Sequence, residues 1–138
     1  MLPDSNSDRP VFIIEDSDMD LLILKHYLLK YKFTGEIVAF PLARPAVDRL
    51  NALVQSQQYN TAPKIIFVDI NIPDMSGFDF LDQVKLLPGD LTEEIKIILI
   101  SSSDELKDLE RAKEYPFLYS YIIKPINKSA QFWENLKD

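Results

Sequence analysis

The chain has 138 residues, 46% of them hydrophobic and 27% charged, which is enough to close one domain around a proper core. It contains no cysteine, which excludes a disulfide framework and a thiolate metal site, and its net charge of −7 argues against non-specific binding to nucleic acid or to an anionic membrane. No cationic start leads into a long apolar stretch, and no apolar run reaches the roughly 18 residues of a membrane span. A cytoplasmic protein with no direct nucleic-acid or membrane contact is expected.

Residues 1–10 are polar and read as a flexible lead-in, leaving 11–138 as the folded domain. Val11, Phe12, Ile13 and Ile14 form an apolar run that ends in two acids, Glu15 and Asp16. Over residues 18–31, Met19, Leu22, Ile23, Tyr27 and Leu28 recur at helical spacing, with Asp16, Ser17 or Asp18 as the cap and Asp20 favourably placed for the dipole. Residues 36–40 suggest a short strand. Residues 44–57 suggest an amphipathic helix with Ala46, Val47, Leu50, Leu53 and Val54 on one stripe.

Ile65, Ile66, Phe67 and Val68 are a continuous apolar run of the kind found in a strand buried on both faces, and Asp69 follows directly. A carboxylate at that point either caps a turn or faces a ligand at the sheet edge. Pro73, Ser76 and Gly77 form a structured loop, and Ser76 caps a helix carrying Phe78, Phe80 or Leu81, and Val84. Leu87, Pro88, Gly89 and Asp90 break that helix. Residues 95–100 form a fourth strand running into Ser101, Ser102 and Ser103. Residues 103–114 form a charged helix whose thin apolar stripe is Leu106, Leu109 and Ala112. Residues 118–123 are a fifth strand ending in Lys124 and Pro125, and a last helix from about residue 127 turns Ala130, Trp133 and Leu136 inward. His26 reads as a surface or half-buried residue and Trp133 as packing.

Five strands alternating with five helices imply parallel βαβ units with right-handed crossovers. The expected fold is α/β, a doubly wound sheet with helices on both faces. In such a sheet, whatever follows each strand gathers at one edge. Glu15, Asp16, Asp69, Ser101 and Lys124 would converge there. Carboxylates beside a backbone carbonyl suit a hard cation such as Mg²⁺, and an Asp among them can act as a nucleophile towards phosphorus.

These residues resemble the receiver domain of two-component response regulators over nearly the whole chain. V-F-I-I-E-D-S is similar to the family's first strand and acidic pair, and V-D-I-N-I-P-D-M-S-G to its phosphoacceptor loop. I-I-L-I-S-S is similar to its fourth strand and switch hydroxyl, and Y-I-I-K-P to its fifth strand with Lys-Pro. The resemblance implies a flavodoxin-like (βα)5 fold with strand order 2-1-3-4-5. It implies that Asp69 accepts a phosphoryl group from a sensor histidine kinase or phosphotransfer protein. Asp16 would bind Mg²⁺ directly with Glu15 assisting, and Asn71 would contribute its backbone carbonyl. Ser101 would contact the phosphoryl group, Lys124 would pair with it, and Tyr121 matches the aromatic switch position. A cis Lys124–Pro125 bond is implied as well. The partners implied are a downstream protein target and a second copy docking through the helix over 103–114, the fifth strand and the final helix.

Such a domain is a phosphoacceptor and not an enzyme in the ordinary sense. An aspartyl-nucleophile phosphatase wants its nucleophile after the first strand with a second Asp two residues on, and position 71 is Asn. A flavodoxin-type cofactor site wants a Ser/Thr/Gly-rich loop after the first strand, which is lacking. The remaining alternative is a pseudo-receiver, an interaction module that keeps the fold without phosphorylation. The chain is expected to act alone, without an attached output domain.

Overall fold

The computed structural model describes residues 8–102 and 105–137. Most of the lead-in and the Ser103–Asp104 opening of the charged helix lie outside these residues, as does Asp138.

Five parallel strands form one sheet: β1 (Val11–Ile14), β2 (Ile37–Phe40), β3 (Ile65–Asp69), β4 (Lys96–Ser101) and β5 (Leu118–Ile123). Their order is β2-β1-β3-β4-β5, as expected. The central strands are buried on both sides, and alternation divides each between two cores. Phe12, Ile14, Ile66, Val68, Ile97 and Leu99 point to one face, where they meet α2 (Ala43–Ser56) and α3 (Gly77–Lys85). Val11, Ile13, Ile65, Phe67, Ile98 and Ile100 point to the other, where they meet α1 (Asp18–Lys30) and the last helix, Ala130–Lys137. No helix among the described residues is long and apolar enough to cross a membrane.

Among the described residues six α-helices surround the sheet, one more than the sequence suggests. Residues expected only to break α3 go on to form a single extra turn, α4 (Gly89–Thr92), capped by Pro88, which buries Leu91. The remaining helices are α5 (Leu106–Ala112) and α6 (Ala130–Lys137). In α5, Leu106 is 71% exposed, so the inward stripe is reduced to half-buried Leu109 and buried Ala112. In α6 the start shifts to Ala130, which is exposed, while Trp133 and Leu136 are buried as expected.

The buried face of α1 also departs from expectation. Leu24 and Leu28 are buried, whereas Met19 and Leu22 lie open to solvent. The apolar residues run nearly all round this helix, and its face is selected by what it packs on: Leu24 and Leu28 join the sheet core, and Trp133 of α6 stacks on Tyr27 with ring centroids 5.1 Å apart.

Arg9, expected in the loose lead-in, is buried. Its guanidinium donates to the carbonyls of Ala62, Pro63 and Glu94, which ties the start of β1 to the loop before β3. Asp74 and Asp79 both serve helix N-termini. Asp79 completes a capping box with Ser76 at the start of α3. Asp74 reaches across to α2, whose own cap residue, Leu42, has no side-chain acceptor, and takes the Ala43 and Arg44 N–H groups at 2.9 and 2.8 Å. Desolvation raises the Asp74 pKa, but the backbone hydrogen bonds and the charge of Arg44 together outweigh it and hold the carboxyl below its ordinary value.

Gly77 sits where the loop after β3 folds back on that strand. Its N–H donates to the Ile70 carbonyl at 2.7 Å. A Cβ there would stand 2.8 Å from the Asp69 carbonyl oxygen and 2.9 Å from the Ile70 Cα, backbone that cannot swing away. Gly77→Ala is therefore expected to destabilise by about 1–3 kcal/mol and to displace Asp69. A urea midpoint equal to that of the unsubstituted protein would contradict this.

Candidate functional site

The carboxyl ends of β1, β3, β4 and β5 line a crevice at one edge of the sheet. Asp69 closes β3 and is buried. One of its oxygens accepts the Asn71 N–H at 2.7 Å, and the other forms an ion pair with Lys124 at 2.5 Å. Glu15, also buried, follows β1. Its Oε2 accepts the Ser17 N–H at 3.2 Å and its Oε1 lies 3.4 Å from the Lys124 ammonium. Ser101 ends β4, one step beyond the residue paired with Asp69. It is buried, and its carbonyl accepts the Lys124 N–H at 2.7 Å, which fixes where β5 releases the lysine. The Lys124–Pro125 bond is cis, in agreement with the family pattern.

The structure thus brings Glu15, Asp69, Ser101 and Lys124 to one edge, with the Asn71 backbone bound to Asp69. Tyr121 lies on β5 opposite Leu99, half-buried against the core under α2 and α3. Asp16 is placed differently. It is exposed, because neighbouring side chains on an extended segment point to opposite sides and Glu15 takes the inward one. The third clustered carboxylate is Asp20 in the first turn of α1, which sequence reasoning assigned only to the helix dipole. One oxygen each from Glu15, Asp20 and Asp69 lie within 4.8 Å of one another, and Asp20 Oδ2 is 2.6 Å from the Lys124 ammonium. The available signal was positional: α1 is capped by Ser17, two residues after Glu15, so its first turn overlooks the crevice.

The charges are strongly interdependent. Burial, then the charge of Asp69 and a hydrogen bond to it, push Glu15 from 4.5 up to about 7, against the opposing pull of the Ser17 N–H and Lys124. Burial lowers the Lys124 pKa, yet its hydrogen bonds to Asp20 and Asp69 and the charges of Asp69 and Glu15 prevail and raise it above the usual lysine value. By its chemistry the cluster could hold a hard cation, since all its donors are oxygens; an ammonium lies among them. The residues fit Mg²⁺ or a similar divalent ion.

Stability of the metal-free protein should follow the Glu15 titration. Below pH 4.5 the carboxyl is protonated in folded and unfolded chains alike, and Glu15 costs no stability. Between 4.5 and about 7 the folded chain keeps a proton that the unfolded chain has released, so stability falls as pH rises; above about 7 the loss is complete. Glu15→Gln removes this slope. Urea midpoints at about pH 5 and about pH 7.5 should then differ less in the variant than in the unsubstituted protein, and an equal difference contradicts the assignment.

A family model, the response regulator receiver domain, matches residues 11–132. The chain belongs to this family. Receiver domains are signalling domains of two-component systems. This receiver is 23% identical over 117 residues to the "Probable methanogenesis regulatory protein FilR2" of Methanothrix harundinacea, covering 85% of this chain and 72% of that one. It is 25% identical to response regulator Rcp1 of Synechocystis sp., covering 76% and 70%. The Mn(2+)-bound form of Rcp1 matches it with a TM-score of 0.67 at 21% identity, covering 94% of this chain and 89% of that one. A two component response regulator from Cytophaga hutchinsonii matches with a TM-score of 0.78 at 25% identity, over 94% of both chains. Some relatives are much longer: the receiver spans 40% of stress response regulator protein 1 of Candida tropicalis.

Proposed function

We propose that this receiver is a phosphorylation-dependent switch that accepts a phosphoryl group on Asp69 from a histidine kinase or phosphotransfer protein. The observation that carries this reading is the setting of Asp69. It is buried at the carboxyl end of β3, with one oxygen bound by the Asn71 N–H and the other against an ammonium. In the transfer, an Asp69 oxygen attacks the phosphorus of a phosphohistidine. A P–O bond forms as the P–N bond breaks, and the imidazole leaves with the electron pair and takes up a proton. Lys124 offsets the charge that gathers on the phosphoryl oxygens. The Ser101 hydroxyl donates to one of them, a role supported by its burial on the neighbouring strand.

Asp16 and Asp69, with Glu15 assisting and the Asn71 backbone carbonyl, would hold Mg²⁺. A relative of the same fold, Rcp1, has been solved in a Mn(2+)-bound form. When bound, the ion neutralises phosphoryl oxygens. The output face consists of α5, β5 with Tyr121, and α6, where a downstream protein or a second copy docks. The thin burial of α5 supports this, since weakly packed elements are those recruited to switching.

Acetyl phosphate tests the reading. With Mg²⁺, intact mass should show one added phosphoryl group, and EDTA should prevent it. Labelling that ignores EDTA contradicts the proposed chemistry. A protein that takes no label under any metal condition is instead the non-phosphorylated interaction module.

A further inference from the structure

We propose that the hydrogen bond between Tyr115 and Asp82 is a latch that holds α5 against α3 in the unphosphorylated arrangement, so that releasing it favours the phosphorylated one. The inference rests on the reading of this receiver as a phosphorylation-dependent switch and adds a restraint on its thinly packed helix.

The helix α5 is held mainly at one end. Glu105, which precedes it, supplies no side-chain cap, Leu106 is exposed, and the one buried residue is Ala112 in the last turn. Three residues on, Tyr115 is buried, and its N–H donates to the Ala112 carbonyl at 3.1 Å, which ties it to the helix end. The Tyr115 ring stacks on Phe78 of α3 with centroids 6.0 Å apart, and its hydroxyl donates to Asp82 Oδ1 on the same helix at 2.8 Å. Two cations close the seam. Lys85 of α3 lies 4.5 Å from the Tyr115 ring centroid, and Arg111 of α5 lies 4.5 Å from that of Phe78. In turn α3 is anchored beside the phosphoacceptor, through the Gly77 N–H on the Ile70 carbonyl.

The arrangement held in this way is that of a free carboxylate. Both Asp69 oxygens are engaged, one by the Asn71 N–H and one by Lys124, and a phosphoryl group on either displaces a contact. The adjustment passes through Ser101, which precedes the loose end of α5, and is resisted at the latched end. Ring packing alone would explain the burial of Tyr115, and a phenylalanine would supply it. Tyr115→Phe therefore keeps the stacking and removes only the hydroxyl. Asp82 is exposed, so its carboxylate returns to water and no buried group is left unpaired.

The test is a titration of the full chain with beryllofluoride in the presence of Mg²⁺, reading bound fluoride by fluorine magnetic resonance. A ligand that favours one of two arrangements binds more tightly when the other is destabilised. Tyr115→Phe should lower the half-saturating concentration roughly twofold to tenfold, the range set by one hydrogen bond. Asp82→Ala should lower it equally, and the double substitution no further, because both remove the same contact. Tyr119→Phe, which removes a hydroxyl from an exposed residue of β5, should leave it unchanged. A contact that served only the fold would not tighten binding when lost. An unchanged or higher half-saturating concentration in Tyr115→Phe, equal tightening in Tyr119→Phe, or single effects that multiply in the double variant overturn the latch while leaving the switch in place. An unsubstituted protein that does not bind beryllofluoride overturns both this inference and the switch reading beneath it.

Discussion

Asp69→Asn should take no label from acetyl phosphate, under conditions in which the unsubstituted chain gains one phosphoryl group. The effect is a complete loss and not a fractional one, because a carboxamide is a poor nucleophile and nothing else in the crevice replaces it. Ser101 is the nearest hydroxyl by position in the sheet, but the Lys124 ammonium in this crevice is arranged around carboxylates. Asn is nearly the same size as Asp, so the fold should survive. With one negative charge removed, Glu15 loses its strongest electrostatic opponent and ionises more readily. Intact-mass spectra of the two proteins, taken side by side with Mg²⁺, decide the matter; a labelled Asp69→Asn variant places the phosphoacceptor elsewhere.

Lys124→Ala should have the second largest effect, on stability as well as on switching. Lys124 pairs with Glu15, Asp20 and Asp69, and two of these are buried. Removing one partner of a fully buried pair destabilises by roughly 3–5 kcal/mol; here the ammonium is 20% exposed, so about 2 kcal/mol at neutral pH is expected. The loss should shrink at about pH 5, where Glu15 holds its proton and one fewer charge is left unpaired. Added Mg²⁺ should restore part of it. Urea denaturation of the metal-free variant at both pH values measures these effects, and an unchanged midpoint at neutral pH would show that the lysine is not the counter-ion the geometry makes it. In the phosphorylation assay the variant should still take label, yet without the conformational response that Lys124 links to the phosphoryl group.

The sheet was legible in the sequence because its strands are short, continuous and rich in β-branched residues, and all but β2 end in or run into a polar residue at the same edge. Ile65, Ile66, Phe67 and Val68 permit little else once Asp69 and Pro73 follow. The strand order and the meeting of Glu15, Asp69, Ser101 and Lys124 follow from parallel topology. What periodicity could not supply was rotation. The apolar residues of α1 run round the helix, so its buried face depends on distant partners, the sheet residues that cover Leu24 and Leu28 and Trp133 against Tyr27. The same rotation brings Asp20 into the crevice, and the side-to-side alternation after β1 leaves Asp16 outside. Long-range polar anchors were equally hidden. Arg9 finds its acceptors on backbone carbonyls, and Asp74 caps a helix 30 residues earlier in the chain, contacts that leave no local pattern.

The central claim is that chemistry at Asp69 reaches the α5–β5 face. A phosphoryl group can shift that face only by interacting differently with two of its arrangements, and Ser101 and Lys124 are the groups able to do so. Hydrogen exchange with and without beryllofluoride, a mimic of the aspartyl phosphate, tests this most directly. The account predicts altered protection between residues 101 and 121 as well as around residue 69. Changes confined to the surroundings of residue 69, with none between 101 and 121, would contradict it.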